Sequence, residues 1–137
     1  MAMFALPFSA VFSQEMQVTI SAGNNSIIVF PDNEDSTKLL VIDALQSSAN
    51  KAFTIHVTND NRDKDWKRSF AIYDSADNVL HDFVLMKDGN YCIKLSQLAT
   101  LHTEEEYFIY TVAIPKDPQK AMLVKVARTL VCKFKIR

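Results

Sequence analysis

"MAMFALPFSAVFSQEMQVTISA", residues 1–22, places Phe4, Leu6, Phe8, Ala10, Phe12, Met16, Val18, Ile20 and Ala22 at even positions, interrupted only by Gln14. The odd positions from Ala5 onward are Pro7, Ser9, Val11, Ser13, Glu15, Gln17, Thr19 and Ser21, mainly small or polar. A period of two belongs to an extended chain whose alternate side chains point to opposite faces of a sheet. Phe4, Phe8 and Phe12 also stand at helical spacing, but a helix does not account for the alternation that continues to Ala22. The segment therefore reads as a first strand or arm. Fully extended, residues 4–22 would span about 60 Å, whereas a typical strand has roughly 5–6 residues. The chain must either bend between two sheets or leave its own domain.

A cleavable export signal is the competing reading. The run from Phe4 to Phe12 has the length of an apolar signal core, and Val11 and Ser13 suit the small-residue positions before a cut ahead of Gln14. Against it stand the lack of any Lys or Arg before Lys38 and the position of Pro7 inside the run. A signal also has no reason to keep phase with the mature domain. A transmembrane helix is excluded by length, since it needs about 20 apolar residues. Retention of Met1 implies a protein associated with a virion or other assembly, and cleavage implies a periplasmic or extracellular one.

The rest of the chain continues the β pattern. "KLLVIDAL" (Lys38 to Leu45) suits a core strand, and "AFTIHVT" (Ala52 to Thr58) sets Phe53, Ile55 and Val57 on one face. "NDNRDKDWKR" (59–68) reads as a charged loop, followed by a strand containing Phe70 and Ile72. "DSADN" then favours a tight turn, and Val79 to Met86 reads as the return strand of a hairpin. After a turn at Asp88 and Gly89 comes a strand with Tyr91, Ile93 and Leu95 on one face. "YFIYTVAI" (107–114) follows, stopped by the prolines of "PKDP". The last segment ends with Cys132, Phe134 and Ile136 opposite Lys133, Lys135 and Arg137. Short helical turns are expected only in "LSQLATLHTEEE" and "DPQKAML". Seven or eight short strands predict an all-β, two-sheet antiparallel sandwich, immunoglobulin-like or jelly-roll-like, with residues 1–22 as arm or first strand and 23–137 as one domain.

The stretch "DGNYCIKL" (88–95) resembles the Gly-x-Tyr turn ahead of a late strand in immunoglobulin-like and fibronectin-type-III-like sandwiches. It departs from the immunoglobulin pattern because Cys92 directly follows Tyr91, and the sole Trp66 falls in the charged loop. The resemblance implies the sandwich architecture and no particular family.

Composition removes several function classes. The 137 residues are 48% apolar and 23% charged with a formal net charge of -1, so no global attraction to nucleic acid or anionic membrane follows. Gly23 and Gly89 are the only glycines, too few for a phosphate-cradling loop. Cys92 and Cys132 offer no zinc-ligand pair; they read as two buried thiols or as a disulfide between strands. His56, His81 and His102 lie in three separate segments, "EEE" at 104–106 reads as solvated carboxylates, and the serines lack a Gly-x-Ser-x-Gly elbow. Asn24, Asn25 and Ser26 form a glycosylation sequon. Arg62, Lys64, Lys67 and Arg68 bracket Trp66 as a nucleic-acid patch would, but Asp60, Asp63 and Asp65 cancel the charge. Trp and Arg are enriched at interface hot spots, so Arg62, Trp66 and Arg68 are candidate contact residues. Phe4, Leu6, Phe8 and Phe12 are the others.

The expectation is a non-enzymatic structural or interaction protein within a larger assembly, with protein partners and no catalytic residues, cofactor, metal or nucleic acid. Its apolar N-terminal strand would pack on or augment a neighbouring subunit. The alternatives are an exported or secreted binding domain carrying a remnant signal in residues 1–13, and a small-molecule or carbohydrate-binding sandwich or minor enzyme with a pocket lined by the histidines or tyrosines.

Overall fold

The computed structural model describes residues 15–33, 38–43, 52–98 and 100–137. Among the described residues, ten strands build two five-stranded sheets that pack face to face. They are β1 (Gln17–Ala22), β2 (Asn25–Val29), β3 (Leu39–Ile42), β4 (Ala52–Thr58), β5 (Trp66–Tyr73), β6 (Val79–Asp82), β7 (Val84–Leu85), β8 (Asn90–Lys94), β9 (Glu106–Pro115) and β10 (Thr129–Ile136). One sheet has the order β2-β1-β4-β8-β7, the other β3-β10-β9-β5-β6. All described pairings between these strands are antiparallel except β3 with β10.

The even parity of the N-terminal segment is realised where it can be followed. Met16, Val18, Ile20 and Ala22 are buried, while Gln17, Thr19 and Ser21 are not. β1 pairs on both sides, with β2 and β4, so it is an interior strand. Phe4, Leu6, Phe8 and Phe12 lie outside the described residues. Gly23, at φ 61°, supplies the left-handed conformation for the two-residue turn into β2.

The core fills from both sheets. Phe53 of β4 touches Phe83 and, from the opposite sheet, Phe134, with ring centroids 5.4 and 5.6 Å apart. Phe70 of β5 meets Tyr91 of β8 edge-on at 4.8 Å. Burying each such side chain contributes about 1.5–3 kcal/mol, which is why strict alternation in β4 (Phe53, Ile55, Val57) and β8 (Tyr91, Ile93) was a dependable signal. In β10 the alternation fails at Val131 and Cys132, which are both buried. The register jumps there, with Leu130 opposite Tyr110 and Cys132 opposite Ile109, so one extra residue is accommodated as a bulge.

Three expectations need correction. The supposed charged loop at 59–68 ends three residues early: Trp66, Lys67 and Arg68 belong to β5 and pair with Pro115, Ile114 and Ala113. Charge disguised the strand, because Arg68 points inward against a carboxylate. The single return strand expected over Val79 to Met86 is two strands in different sheets. β6 pairs with β5 and β7 with β8; between them Phe83 is buried, its N–H donating to the carbonyl of Phe70 at 3.1 Å. Lys38 to Leu45 contains a sheet-edge strand, β3, and its inward residues are Leu40 and Ile42. Residues 44 and 45 of that run lie outside the described residues. The expected short helical turns form at Leu95–Leu98 and Pro118–Leu123.

The turn Gly of the Gly-x-Tyr stretch is at φ 75°, preceded by Asp88 at φ 59°. The hydroxyl of Tyr91 reaches into the other sheet, donating to the carbonyl of Arg68 at 2.9 Å. A local backbone tie is made instead by Tyr107 at the start of β9. Its hydroxyl accepts from the N–H of His102 at 2.8 Å, five residues upstream, and lies 3.3 Å from Glu105 Oε2.

Candidate interaction surface at one end of the sandwich

Strand register brings four segments to the same end. Gln17 starts β1 opposite Thr58, the last residue of β4, and Val29 ends β2 opposite Val18. Trp66 starts β5 opposite Pro115, the last residue of β9. The entry of β1, the turn after β2, the 59–65 loop and the 116–128 connection therefore converge.

Arg62, Trp66 and Arg68, singled out by residue type, are brought together here. Arg68 is not an exposed contact residue: it is 9% exposed, and its guanidinium is held on three sides. Nε donates to Asp60 Oδ1 at 2.9 Å, Nη1 to Thr111 Oγ1 at 3.0 Å and Nη2 to Asn61 Oδ1 at 3.3 Å. Thr111 Oγ1 donates onward to the Ser69 carbonyl at 2.9 Å. Arg62 pairs with the other oxygen of Asp60 and donates from Nε to the Trp66 carbonyl at 3.1 Å. Burial pushes the Asp60 carboxyl up, but hydrogen bonds from Arg68 and from the Arg62 N–H, with both guanidinium charges, outweigh it and hold it below the usual carboxylate range. A buried charge with a partner at each of its three nitrogens organises the loop.

Trp66 is half-buried and borders a cleft of about 320 Å³ that Met16, Arg68, Thr111, Lys125 and Val126 also line. The 116–128 connection lines this cleft through Lys125, Val126 and Ala127. Asp117 caps the short helix, its carboxylate accepting from the N–H of Gln119 at 3.0 Å, with Pro118 at the first helical position. The helix buries none of its own residues. It holds Met122 and Leu123 at 85% and 86% exposure, and Val124 and Val126 follow, also exposed. Four large apolar side chains in five residues are not the ordinary scatter of surface hydrophobics, and clustered exposure of this kind marks interaction surfaces.

The sequence pointed to a short helical turn in "DPQKAML" but not to the exposure of its apolar side chains. The available signal was three consecutive apolar residues, Met122 to Val124, which a half-buried strand would not present. A second apolar strip lies along β6 and β7, where Val79, Val84, Leu85 and Met86 are exposed.

The remaining candidates are dispersed. His56 Nδ1 lies 2.7 Å from Asn90 Oδ1, and His81 is in β6. Among the described residues no three His, Cys, Asp or Glu side chains gather to hold a metal ion. Cys92 is half-buried in one sheet and Cys132 fully buried in the other; both are free thiols. Arg128 pairs with Asp77 and lies over the rings of Tyr73 and Tyr110, 4.4 and 4.0 Å from their centroids. No described helix is long and apolar enough to cross a membrane. Compared with protein-family models, curated proteins and solved structures, the chain matches none.

Proposed function

We propose that the protein is a non-enzymatic interaction subunit of a larger assembly, whose apolar N-terminal segment packs on a neighbouring subunit. The observation that carries this reading is the exposed apolar tip at Met122, Leu123, Val124 and Val126, at the end of the sandwich where residues 1–14 join β1. An apolar-faced segment and an uncovered apolar surface at one place are what a subunit contact needs.

Strand order supports an immunoglobulin-like form of the sandwich. Taken in chain order, β1-β4-β8-β7 has the succession ABED and β10-β9-β5-β6 the succession GFCC′, with β2 added outside β1 and β3 beside β10. In that scheme the 59–65 and 116–128 segments are the B–C and F–G loops, a pair that sandwich domains use for recognition. Fold alone carries no function; recognition is a property of the exposed surface.

Deleting residues 1–13 tests the reading by light scattering. A folded, lower-order species is expected, and an unchanged oligomeric state refutes it. Mass spectrometry of the protein from its natural source adds a second test: retained residues 1–13 agree with the reading, while a mature start at Gln14 favours an exported binding domain.

A further inference from the structure

Resting on the assembly reading above, we infer that the apolar tip of the 116–128 connection is the docking surface for residues 1–14 of a second copy of this chain. The two copies would be related by a two-fold axis at this end of the sandwich.

Three observations carry the choice of occupant. The first is direction. β1 enters the sandwich from this end, and its neighbours stop where it starts: Thr58 ends β4 opposite Gln17, and Val29 ends β2 opposite Val18. No described strand flanks the chain before Gln17, so residues 1–14 join β1 at the end of the sandwich that carries the tip. The second is reach. Fourteen extended residues span about 45 Å, more than the roughly 35 Å breadth of a domain this size. A segment that long can lie across the tip of a molecule facing it.

The third is charge. The connection carries Lys116, Lys120 and Lys125 against Asp117, with Arg128 paired to Asp77, whereas residues 1–14 contain no charged side chain. Two bare tips brought together would oppose lysine to lysine. An uncharged apolar segment laid between them covers Met122 and Leu123 and keeps the like charges apart. Because Met16 lines the same cleft as Trp66 and Val126, each segment would leave beside its own tip and cross to its partner's. Reciprocal exchange of this kind closes as an isologous dimer.

The full chain is tested in three forms by sedimentation equilibrium and light scattering. Leu123→Asp should raise the dimer dissociation constant at least about 100-fold while leaving the unfolding midpoint unchanged, since Leu123 is 86% exposed. Deletion of residues 1–13 should do the same. If the deletion dissociates the protein but Leu123→Asp leaves the wild-type oligomer intact, the tip is not the docking surface and this inference falls, while the assembly reading stands. If neither changes the oligomer, or the wild type is a monomer, both fall. In a Cys92→Ser background, Phe8→Cys with Leu123→Cys should give a disulfide-linked dimer on mild oxidation. An internally linked monomer, or no link, overturns the second copy as the occupant.

Discussion

Substituting Asp60→Ala removes the carboxylate that Arg68 and Arg62 share and leaves the Arg68 guanidinium inside the sandwich without its ion-pair partner. Breaking a buried charge pair from one side costs about 3–5 kcal/mol. The lower end applies here, because Thr111 Oγ1 and Asn61 Oδ1 continue to accept from the other two nitrogens. Near 3 kcal/mol, and with a urea dependence of roughly 1.5 kcal/mol/M, the unfolding midpoint should fall by about 2 M. The companion variant Asp60→Ala with Arg68→Met replaces the pair by an apolar chain of similar length and should recover most of the loss, since the cost lies in the orphaned charge.

The same contact predicts a pH dependence with a definite sign. The folded-state pKa of Asp60 lies below its ordinary value, so its contribution is fully present above about pH 4 and is lost as pH falls through the lowered folded value. The stability gap between wild type and Asp60→Ala should accordingly be constant near neutrality and close in acid. Urea titrations followed by Trp66 fluorescence at pH 7 and at successive lower values measure both effects. A single variant within about 0.5 kcal/mol of wild type at pH 7, or a double variant as unstable as the single one, would refute the role given to Asp60.

Two further outcomes are expected. Tyr107→Phe removes the acceptor for the His102 N–H and should cost about 1 kcal/mol, read as a lower midpoint in thermal or urea unfolding; no change would mean that water replaces the hydroxyl without penalty. Burial pushes the Cys132 thiol up to about 12, so at pH 8 a thiol reagent should modify half-buried Cys92 first and Cys132 only as fast as the protein opens; two equally fast reactions would contradict the buried placement.

Legibility followed the physics of each segment. β1, β4, β8 and the end of β10 were readable because a strand with one face in the core must alternate, and each has a buried residue at every second position. The start of β5 was not, because an inward Arg looks like a loop residue until its carboxylate partner is known, and Asp60 lies eight positions away on another segment. The candidate surface was half legible. Residue type picked out Arg62, Trp66 and Arg68, but not that Arg68 serves the interior and that Met122 and Leu123 serve the exterior.

By itself, the sequence determined a β-sandwich, because a period of two repeated along the chain can bury its apolar half only between sheets. It also determined that residues 1–14, ahead of β1, carry no charged side chain and place Phe4, Leu6, Phe8 and Phe12 at even positions. Tertiary structure alone decided that β3 pairs in parallel with β10, that Phe83 divides one apparent strand between two sheets, and that β10 bulges at Val131. It alone decided, too, that the entry of β1, the 59–65 loop and the 116–128 connection meet at one end. Those choices depend on which distant strands find each other, and pairing partners across the sandwich leave no mark on the local alternation of a single strand.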